Sequence, residues 1–346
     1  MHADPVAHDP KHAARGGRRV RRTVLAIVAA LTLALAGVGA WLYSTTAGKL
    51  ETIATSEVIS DYEGRPAAPT TKTGEAAPMN ILFLGSDSRT EGERIFDATG
   101  NRTDSILLAH ISGDRQHIDV ISVMRDSWVE IPGYGEAKIN AAFSYGGAPL
   151  LVRTLEGLLG QRIDHIALID FAGFKEMTTA LGGVTVKNDV EFFSKPNEEI
   201  PTSYYFPEGE ITLEGEKALA FVRERYAFAD GDYQRVRNQQ EFLKALMAKT
   251  MSRETLSNPF AVARLAQSLS SYIAVDSDLA SNAVSLASSL TSLDSDGVRS
   301  FTLPTSGTGS AGGQSVVFLD EVGVAEVAKA LADDTVWQYQ PSGPGN

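Results

Sequence analysis

Along most of the chain, short apolar runs of strand length alternate with longer segments in which apolar residues follow a helical period. The strand-like runs, several of them rich in Ile and Val, occupy residues 79–85, 105–111, 117–124, 165–171, 184–190, 298–304 and 315–320. The helical patterns occupy residues 140–160, 174–183, 215–222, 232–251, 259–275, 279–293 and 321–334. This alternation predicts an α/β fold, in the form of a single α/β/α layered domain with a mixed central sheet over residues 79–335.

The N-terminal region has a different pattern, because its apolar residues form one uninterrupted run. Residues 23–43 carry no charge, and six Lys and Arg side chains precede them within residues 1–22. The run reaches the ~20 residues that a helix needs to cross a bilayer and exceeds the ~7–15 of a signal-peptide core. It therefore predicts one transmembrane helix, with cleavage after Ala40 as the alternative. Because basic flanks stay inside, we expect a cytoplasmic tail (1–22), single-pass localisation in the cell membrane and an extracytoplasmic domain.

The segments on either side of the predicted domain differ from it in composition. Residues 44–78 are rich in Thr, Ala, Pro and Glu and lack a sustained apolar period, so we interpret them as an extended extracytoplasmic linker. Residues 336–346 are interpreted as a flexible C-terminal tail. Inside the predicted domain only the Gly- and Ser-rich segment 306–315 resembles a linker, and for this reason a single domain is predicted.

Charge and cysteine content exclude several classes of function. The formal net charge is -12, whereas a phosphate backbone needs a basic surface, so nucleic acid is not an expected partner. The chain contains no cysteine, which excludes disulfides and thiolate metal sites. The six histidines are scattered, and no Ser-His or Cys-His pattern indicates a covalent nucleophile.

Two Asp-Arg combinations flank the end of the first strand of the predicted domain. Asp87 and Arg89 follow that strand, and Arg102 and Asp104 come just before the next one. Ligands of open α/β sheets bind beyond strand ends, and Mg2+ is commonly held by one or two carboxylates together with substrate phosphate. Asp87 and Asp104 are therefore candidate Mg2+ ligands, with Mn2+ as the alternative ion. The competing interpretation is that both aspartates only cap local turns.

Further cationic residues follow later strands and helices. Arg125 comes directly after the third strand, and Lys138 precedes a helix whose first backbone N–H groups favour an anion. Arg223 and Arg225 would share one face if the preceding helix ends near Val222 and the chain then continues in an extended conformation. Each of these residues alone is also compatible with a solvated surface position.

The segment DYQRVRNQQEF places polar and apolar residues on one helix face. Asp232, Arg235, Gln239 and Phe242 follow the helical spacing of three and four residues, with the polar members at the N-terminal end. Pairing of exposed arginines with Glu224 and Asp232 on the surface is the simpler interpretation of each residue singly. As a set in an acidic chain, however, converging arginines predict a polyanionic ligand, and together with Mg2+ they indicate a pyrophosphate.

The chain resembles the LytR–CpsA–Psr family of cell-wall glycopolymer ligases. The resemblance rests on the segments NILFLGSDSR, NRTDSILLAHI, SVMRDSWVEIPG, KINAAFSYGG, the GGV at 182–184 and FVRERYAFADGDYQRVRNQQEF, which occur in the family's order and spacing. Together with the later LPTSG and VVFLD segments it covers about residues 79–334. One departure is Asn238, where many members carry Arg or Lys, and it predicts a change in pocket polarity.

The resemblance implies a polyprenyl chain enclosed by helices and sheet, with its pyrophosphate at the mouth. It assigns the Mg2+ carboxylates to Asp87 and Asp104; Arg125 would stabilise developing charge, and Asp87 would accept the proton of the incoming hydroxyl. The pyrophosphate-binding side chains are then Arg89, Arg102, Lys138, Arg223, Arg225, Arg235 and Gln239. The implied reaction is Mg2+-dependent transfer of a phospho-linked glycopolymer from its polyprenyl-pyrophosphate carrier to a peptidoglycan sugar hydroxyl.

Two alternatives use the same residues. A polyprenyl-pyrophosphate phosphatase would take water as the acceptor, and a lipid-binding or signalling protein would hold the carrier without turnover. Two carboxylates available for Mg2+ favour catalysis, because binding alone needs only arginines. The expected partners are the lipid-linked glycopolymer, the peptidoglycan acceptor and the membrane.

Overall fold

A computed structural model of the chain describes residues 51–86, 103–198, 200–229, 231–250, 273–290, 293 and 297–341. The predicted transmembrane helix and three candidate site residues, Asp87, Arg89 and Arg102, lie outside these ranges. None of the helices within the ranges combines the length and the apolar character that a bilayer-spanning segment requires.

The described strands and helices follow one another as the periodicity predicts over most of the chain. The strands are β1 Glu51–Ile53, β2 Met79–Ser86, β3 Thr103–Ile111, β4 Ile118–Val123, β5 Trp128–Ile131, β6 Gly135–Lys138, β7 His165–Asp170, β8 Val184–Asn188, β9 Phe192–Phe193, β10 Tyr205–Phe206, β11 Gly209–Leu213, β12 Ile273–Asp276, β13 Val298–Thr302, β14 Thr305–Ala311 and β15 Gln314–Leu319. The helices are α1 Thr55–Val58, α2 Ile139–Leu159, α3 Phe171–Ala180, α4 Gly215–Arg223, α5 Asp232–Thr250, α6 Ser277–Ser289 and α7 Glu321–Ala332, followed by a 3-10 turn at Val336–Gln338.

A seven-stranded mixed sheet forms the centre of the domain, in the order β1-β12-β7-β2-β3-β4-β13. Strand β2 is parallel to β7 and antiparallel to β3, while β4 is antiparallel to β3 and parallel to β13. The C-terminal ends of β2, β4, β7 and β13 therefore meet at one edge of the sheet, which we call the carboxyl edge. The opposite edge is called the amino edge. The predicted mixed α/β fold with a central sheet is confirmed.

The two faces of the sheet bury different side chains, because residues alternate in direction along each strand. Leu82 and Leu84 of β2 belong to a large core that includes residues of α2 and α7. Ile81 and Ala109 belong to a smaller core on the other face, against which residues of α5 and α6 pack. The carboxyl edge is thus flanked by helices that can bring side chains to the strand ends.

The chain enters the domain earlier than the sequence predicts. Strand β1 pairs in parallel with β12 at the end of the sheet, and Val58 and Ile59 belong to the main core. The prediction of an extended linker is therefore wrong for residues 51–59. The segment has too few apolar residues to show a period, but Ile53, Val58 and Ile59 are enough to attach it to the core.

The last described residues also belong to the domain. The backbone carbonyl of Val336 accepts a hydrogen bond from Arg299 at 2.7 Å, and Tyr339 packs against Phe301 with ring centroids 5.4 Å apart. The prediction of a flexible tail is therefore wrong for residues 336–339, because Val336 is buried in the main core and Tyr339 packs against it.

Two segments that were predicted to be helical or linker-like form strands instead. Residues Ile273–Asp276 form β12, so the helix predicted over 259–275 does not include its last three positions. The Gly- and Ser-rich segment forms the β14–β15 hairpin, with Gly312 and Gly313 at φ 56° and 74° in its turn. Two successive positive φ angles suit a tight hairpin turn, and glycine adopts them without steric cost.

Candidate functional site

A cavity of about 330 Å3 brings together four arginines from three elements of the chain. Arg125 follows β4, Arg223 and Arg225 come from the end of α4, and Arg235 lies on α5. Gln239 and the loop at 194–198 line the same cavity. The structure therefore brings together most of the predicted anion-binding residues that it describes.

Arg125 and Lys138 meet at Asp126. The Nζ of Lys138 lies 2.9 Å from Oδ1 of Asp126, and Nε of Arg125 lies 3.6 Å from its Oδ2. Burial alone would raise the pKa of the Asp126 carboxyl, but the hydrogen bond from Lys138 and the charges of Arg125 and Lys138 hold that pKa below its usual value. Asp126 is thus an ionised counter-ion that fixes two cations beside the cavity.

The N-terminus of α2 has a different role from the one predicted. The backbone N–H groups of Ile139 and Asn140 donate to the carbonyls of Ser127 and Arg125, at 2.8 and 3.2 Å. The expectation that the first N–H groups of this helix bind an anion is therefore wrong for these two groups. The same hydrogen bonds instead hold Lys138 next to Arg125, so the helix start positions the cation rather than the ligand.

Arg223 and Arg225 line the same cavity, as expected if the chain changes from helix to extended conformation between them. Helix α4 ends at Arg223, one residue beyond the predicted end, and the next residue has extended φ and ψ of -62° and 131°. The guanidinium carbon of Arg223 lies 4.2 Å from the centroid of the Phe171 ring. Arg225 donates to the hydroxyl of Tyr226 at 2.5 Å and to Asp232 at 3.5 Å. Both arginines are therefore held in place by aromatic and acidic neighbours.

Helix α5 presents on one face the polar residues that the 3–4 spacing predicts there. Arg235 is 5% exposed and donates to Oδ2 of Asp232 at 3.1 Å, while Gln239 donates to the carbonyl of Val222 at 3.1 Å. Phe242, one turn further along, is 2% exposed in the core. The helix thus passes from the cavity into the apolar interior along a single face.

Asn238 lies beside this face rather than on it. Its side chain is 4% exposed, accepts from Gln234 at 2.9 Å and donates to the carbonyl of Phe221 at 3.5 Å. It is not among the described residues that line the cavity. The expected change in pocket polarity is therefore not what Asn238 contributes; it ties α5 to α4.

Glu224 is the functional residue that the sequence analysis missed, since it was treated as a surface counter-ion. Its side chain is 5% exposed, and one carboxylate oxygen accepts from the N–H of Lys195 at 2.5 Å. The other oxygen accepts from the N–H groups of Arg225, Tyr226 and Ala227 at 2.9, 2.7 and 3.0 Å. A carboxylate at a helix C-terminus opposes the helix dipole, and that unfavourable placement was the available sequence signal for a buried role.

Of the two candidate metal ligands, the structure describes only the backbone of Asp104. Ser86, the last residue of β2, pairs with Thr103, so Asp104 lies next to the position where β2 ends. The side chain of Asp104, like Asp87, Arg89 and Arg102, lies outside the described part of the chain. Among the described residues, no group of three His, Asp or Glu side chains could hold a metal ion.

Comparisons with known proteins identify the family. The sequence profile of the LytR_cpsA_psr family matches residues 43–333, which is most of the chain. The chain belongs to this family. Its relatives include the polyisoprenyl-teichoic acid–peptidoglycan teichoic acid transferase TagU of Enterococcus faecalis, which is 30% identical over 243 residues, or 70% of this chain and 75% of that one.

A second relative and two solved structures agree with this assignment. The probable cell wall biosynthesis protein LcpB of Corynebacterium glutamicum is 38% identical over 202 residues, which cover 56% of this chain and 47% of LcpB, about half its length. The crystal structure of B. subtilis TagV has a TM-score of 0.62 at 26% identity and covers 76% of this chain and 98% of TagV. The structure of TagT bound to LI-WTA has a TM-score of 0.59 at 25% identity, covering 80% and 98%.

Proposed function

We propose that this family member transfers a phospho-linked glycopolymer from a polyprenyl-pyrophosphate carrier to a sugar hydroxyl of peptidoglycan. The observation that carries the proposal is the convergence of four arginines on one cavity, with Lys138 beside it, in a chain of net charge -12. A site with excess positive charge fits a pyrophosphate, whose oxygens accept charge-assisted hydrogen bonds from arginine. The relatives TagU, a teichoic acid transferase, and TagT, whose structure was determined bound to LI-WTA, support the same substrate class.

The reaction needs positioning and charge neutralisation more than a covalent nucleophile. The acceptor oxygen forms a bond to the phosphorus that carries the glycopolymer, while the bond from that phosphorus to the bridging oxygen breaks. Polyprenyl phosphate leaves, and the proton of the acceptor hydroxyl passes to a base, for which Asp87 is our candidate. Arg223 and Arg225 hold the pyrophosphate throughout, and Arg125 stabilises the charge that develops during transfer.

The sheet offers an apolar surface for the lipid chain. Phe83, in the middle of β2, is 42% exposed although its strand is central. It pairs with Leu107 on one side and Ala167 on the other, on the face that α5 flanks. An exposed aromatic ring on a central strand that leads to the carboxyl edge supports binding of a polyprenyl chain there.

Mg2+ dependence is part of the proposal. Three described carboxylates close to the cavity are already engaged: Asp126 pairs with Lys138 at 2.9 Å, Asp232 pairs with Arg235 at 3.1 Å, and Glu224, which lines the cavity, accepts four backbone N–H groups. The pairing of Ser86 with Thr103 brings the end of β2 next to Asp104, and this fits a site formed by Asp87 and Asp104. When bound, Mg2+ would supply positive charge to the pyrophosphate oxygens.

Membrane attachment follows from the N-terminal sequence. We propose that residues 23–43 anchor the protein as a single pass and that the catalytic domain lies outside the cytoplasm. Protease added to protoplasts should remove the domain. Full protection would contradict this orientation, and release of a shortened soluble protein would indicate cleavage.

Transfer can be tested with the full-length protein in detergent. Lipid-linked glycopolymer, Mg2+ and peptidoglycan acceptor should yield glycopolymer on the acceptor and one polyprenyl phosphate for each transfer. Asp87→Ala, Asp104→Ala or excess EDTA should abolish both products while circular dichroism stays unchanged. Undiminished transfer in EDTA would contradict the metal site. Release of polyprenyl phosphate at the same rate without acceptor would instead favour the phosphatase.

A further inference from the structure

One face of the β5–β6 hairpin carries side chains that the proposed reaction does not use. Val129 and Ile131 are buried, so the alternating positions of β5 point away from the core. On that outward side Glu130 pairs directly with Glu136, and both are exposed. The next pair towards the cavity is Trp128 with Lys138, the residue that holds Asp126.

Two tyrosines form an exposed stack at the far end of this hairpin. The rings of Tyr134 and Tyr145 have centroids 4.8 Å apart and an interplanar angle of 20°. They are 57% and 48% exposed. Tyr134 lies in the hairpin turn between Gly133 and Gly135, whose φ angles are 85° and 76°, values that other residues rarely adopt. The turn thus places the Tyr134 ring against that of Tyr145 while both rings stay in contact with solvent.

Both features are unfavourable unless something binds to them. Like charges directly opposite each other destabilise an antiparallel pair, and exposed aromatic rings lose the benefit of burial. Along the hairpin, however, only the Ile131–Gly135 pair separates the two glutamates from the turn that carries Tyr134, and together the glutamates and the tyrosine stack, whose second member Tyr145 belongs to α2, have the chemistry of a sugar site. The apolar C–H face of a pyranose ring packs on an aromatic ring, and carboxylates accept hydrogen bonds from sugar hydroxyls. A polyanion would instead be repelled by the two glutamates.

We propose that Glu130, Tyr134, Glu136 and Tyr145, the acceptor strip, bind the glycan strand of peptidoglycan. The proposal rests on the proposed function, since it names the subsite of the acceptor. Lys138 is four residues from Tyr134 along the hairpin, so strand geometry separates them by about 13 Å. A glycan bound along the strip would therefore bring one of its sugar units to the cavity that holds the pyrophosphate.

Glycan binding can be measured apart from transfer. The probe is a soluble oligomer of alternating N-acetylglucosamine and N-acetylmuramic acid in which simple amides of the lactyl carboxyl groups replace the stem peptides, so that it carries no net charge; it is titrated calorimetrically into the full-length protein in detergent. Tyr134→Ala and Tyr145→Ala should each weaken binding roughly tenfold and raise the KM for the acceptor, with carrier affinity unchanged. The matched control is Phe193→Ala, because Phe193 is 62% exposed and lies 4.8 Å from the ring of Tyr205 in another hairpin.

A second variant separates binding from folding. The double variant Glu130→Gln with Glu136→Gln removes the like-charge contact, so the thermal midpoint should not fall while glycan affinity falls. Folded tyrosine variants that bind the oligomer as the wild type does would overturn the acceptor strip, as would binding of free stem peptides in place of the oligomer. Wild-type protein that binds the oligomer through these residues but transfers nothing would overturn the proposed function and leave the strip standing.

Discussion

The two edges of the central sheet both carry charged side chains, but they balance them differently. At the carboxyl edge, described cations outnumber the carboxylates around one cavity: Arg125, Lys195, Arg223, Arg225 and Arg235 line it and Lys138 lies beside it, whereas the carboxylates are Glu198 and Glu224 in the lining and the paired Asp126 and Asp232. At the amino edge, buried aspartates each have a basic partner. Asp119 pairs with Arg299 at 2.7 Å, Asp276 with His165 at 3.1 Å and Asp334 with His110 at 3.0 Å.

The difference separates a ligand site from a structural network. A buried ion pair that is already matched gains nothing from a further ion, and its loss leaves an uncompensated charge. A cluster with excess positive charge is stabilised when an anion enters it. The amino edge should therefore respond to mutation through stability, and the carboxyl edge should respond through binding and turnover.

The largest expected effect is on folding, at the amino edge. Arg299→Ala leaves the 1% exposed Asp119 without its ion pair, so the free energy of unfolding should fall by about 3–5 kcal/mol. Arg225→Ala removes the same charge at the carboxyl edge and should cost less than about 1 kcal/mol. Denaturant unfolding of the full chain in detergent measures both. Equal losses would remove the distinction between the two edges.

The next effect is on turnover, at the carboxyl edge. Arg125→Ala should slow single-turnover transfer roughly 100- to 1,000-fold, as expected for a group that stabilises developing charge, and should retain most carrier affinity. If Arg125→Ala lost binding as severely as Arg223→Ala while bound complexes reacted normally, Arg125 would be one more pyrophosphate clamp.

A smaller effect is expected on carrier binding. Arg223→Ala should weaken affinity for polyprenyl pyrophosphate roughly 10- to 150-fold, because one charge-assisted hydrogen bond is lost in ground and transition states alike. Lys187→Ala is the control, since it makes the same charge change at a residue paired with Asp189 on the surface. Parallel weakening in both variants would show that the effect is general electrostatics, not the cavity.

The smallest effect is a pH dependence at the amino edge. Burial would lower the pKa of His165, but the hydrogen bond to Asp276 and its charge raise that pKa above the ordinary value of 6.5. The stabilisation is therefore complete below that value and is lost as pH rises through the raised pKa of the folded state. His165→Gln should flatten this decline in the unfolding midpoint. An unchanged pH profile in the variant would show that His165 is not its source.

Sequence patterns predicted those features correctly that depend on a single strand or helix. The apolar periods predicted the strands of the sheet, because alternation reflects burial on the two faces. The 3–4 spacing of Asp232, Arg235 and Gln239 predicted the polar face of α5, because helix geometry alone brings these residues together.

The features that the sequence did not predict depend on hydrogen bonds between segments that are separate in the sequence. Ile139 donates to Ser127 across the hairpin, and this contact removed the expected anion site at the start of α2. Strand β1 has too few apolar residues to show a period, and its place is given by pairing with β12, far along the chain. Glu224 looked like a surface acid because its four backbone donors are visible only in the folded turn.

The position of Glu224 has a dynamic consequence. Its carboxylate accepts hydrogen bonds from the N–H of Lys195 in the loop at 194–198 and from the N–H groups of the turn that begins at Arg225, so movement of either segment away from Glu224 removes hydrogen bonds from this buried carboxylate. Segments that share such bonds open as one cooperative unit, and their amide protons exchange with solvent at a common rate. The loop at 194–198 and the turn that carries Arg225, which line the same cavity, are therefore expected to open and close together.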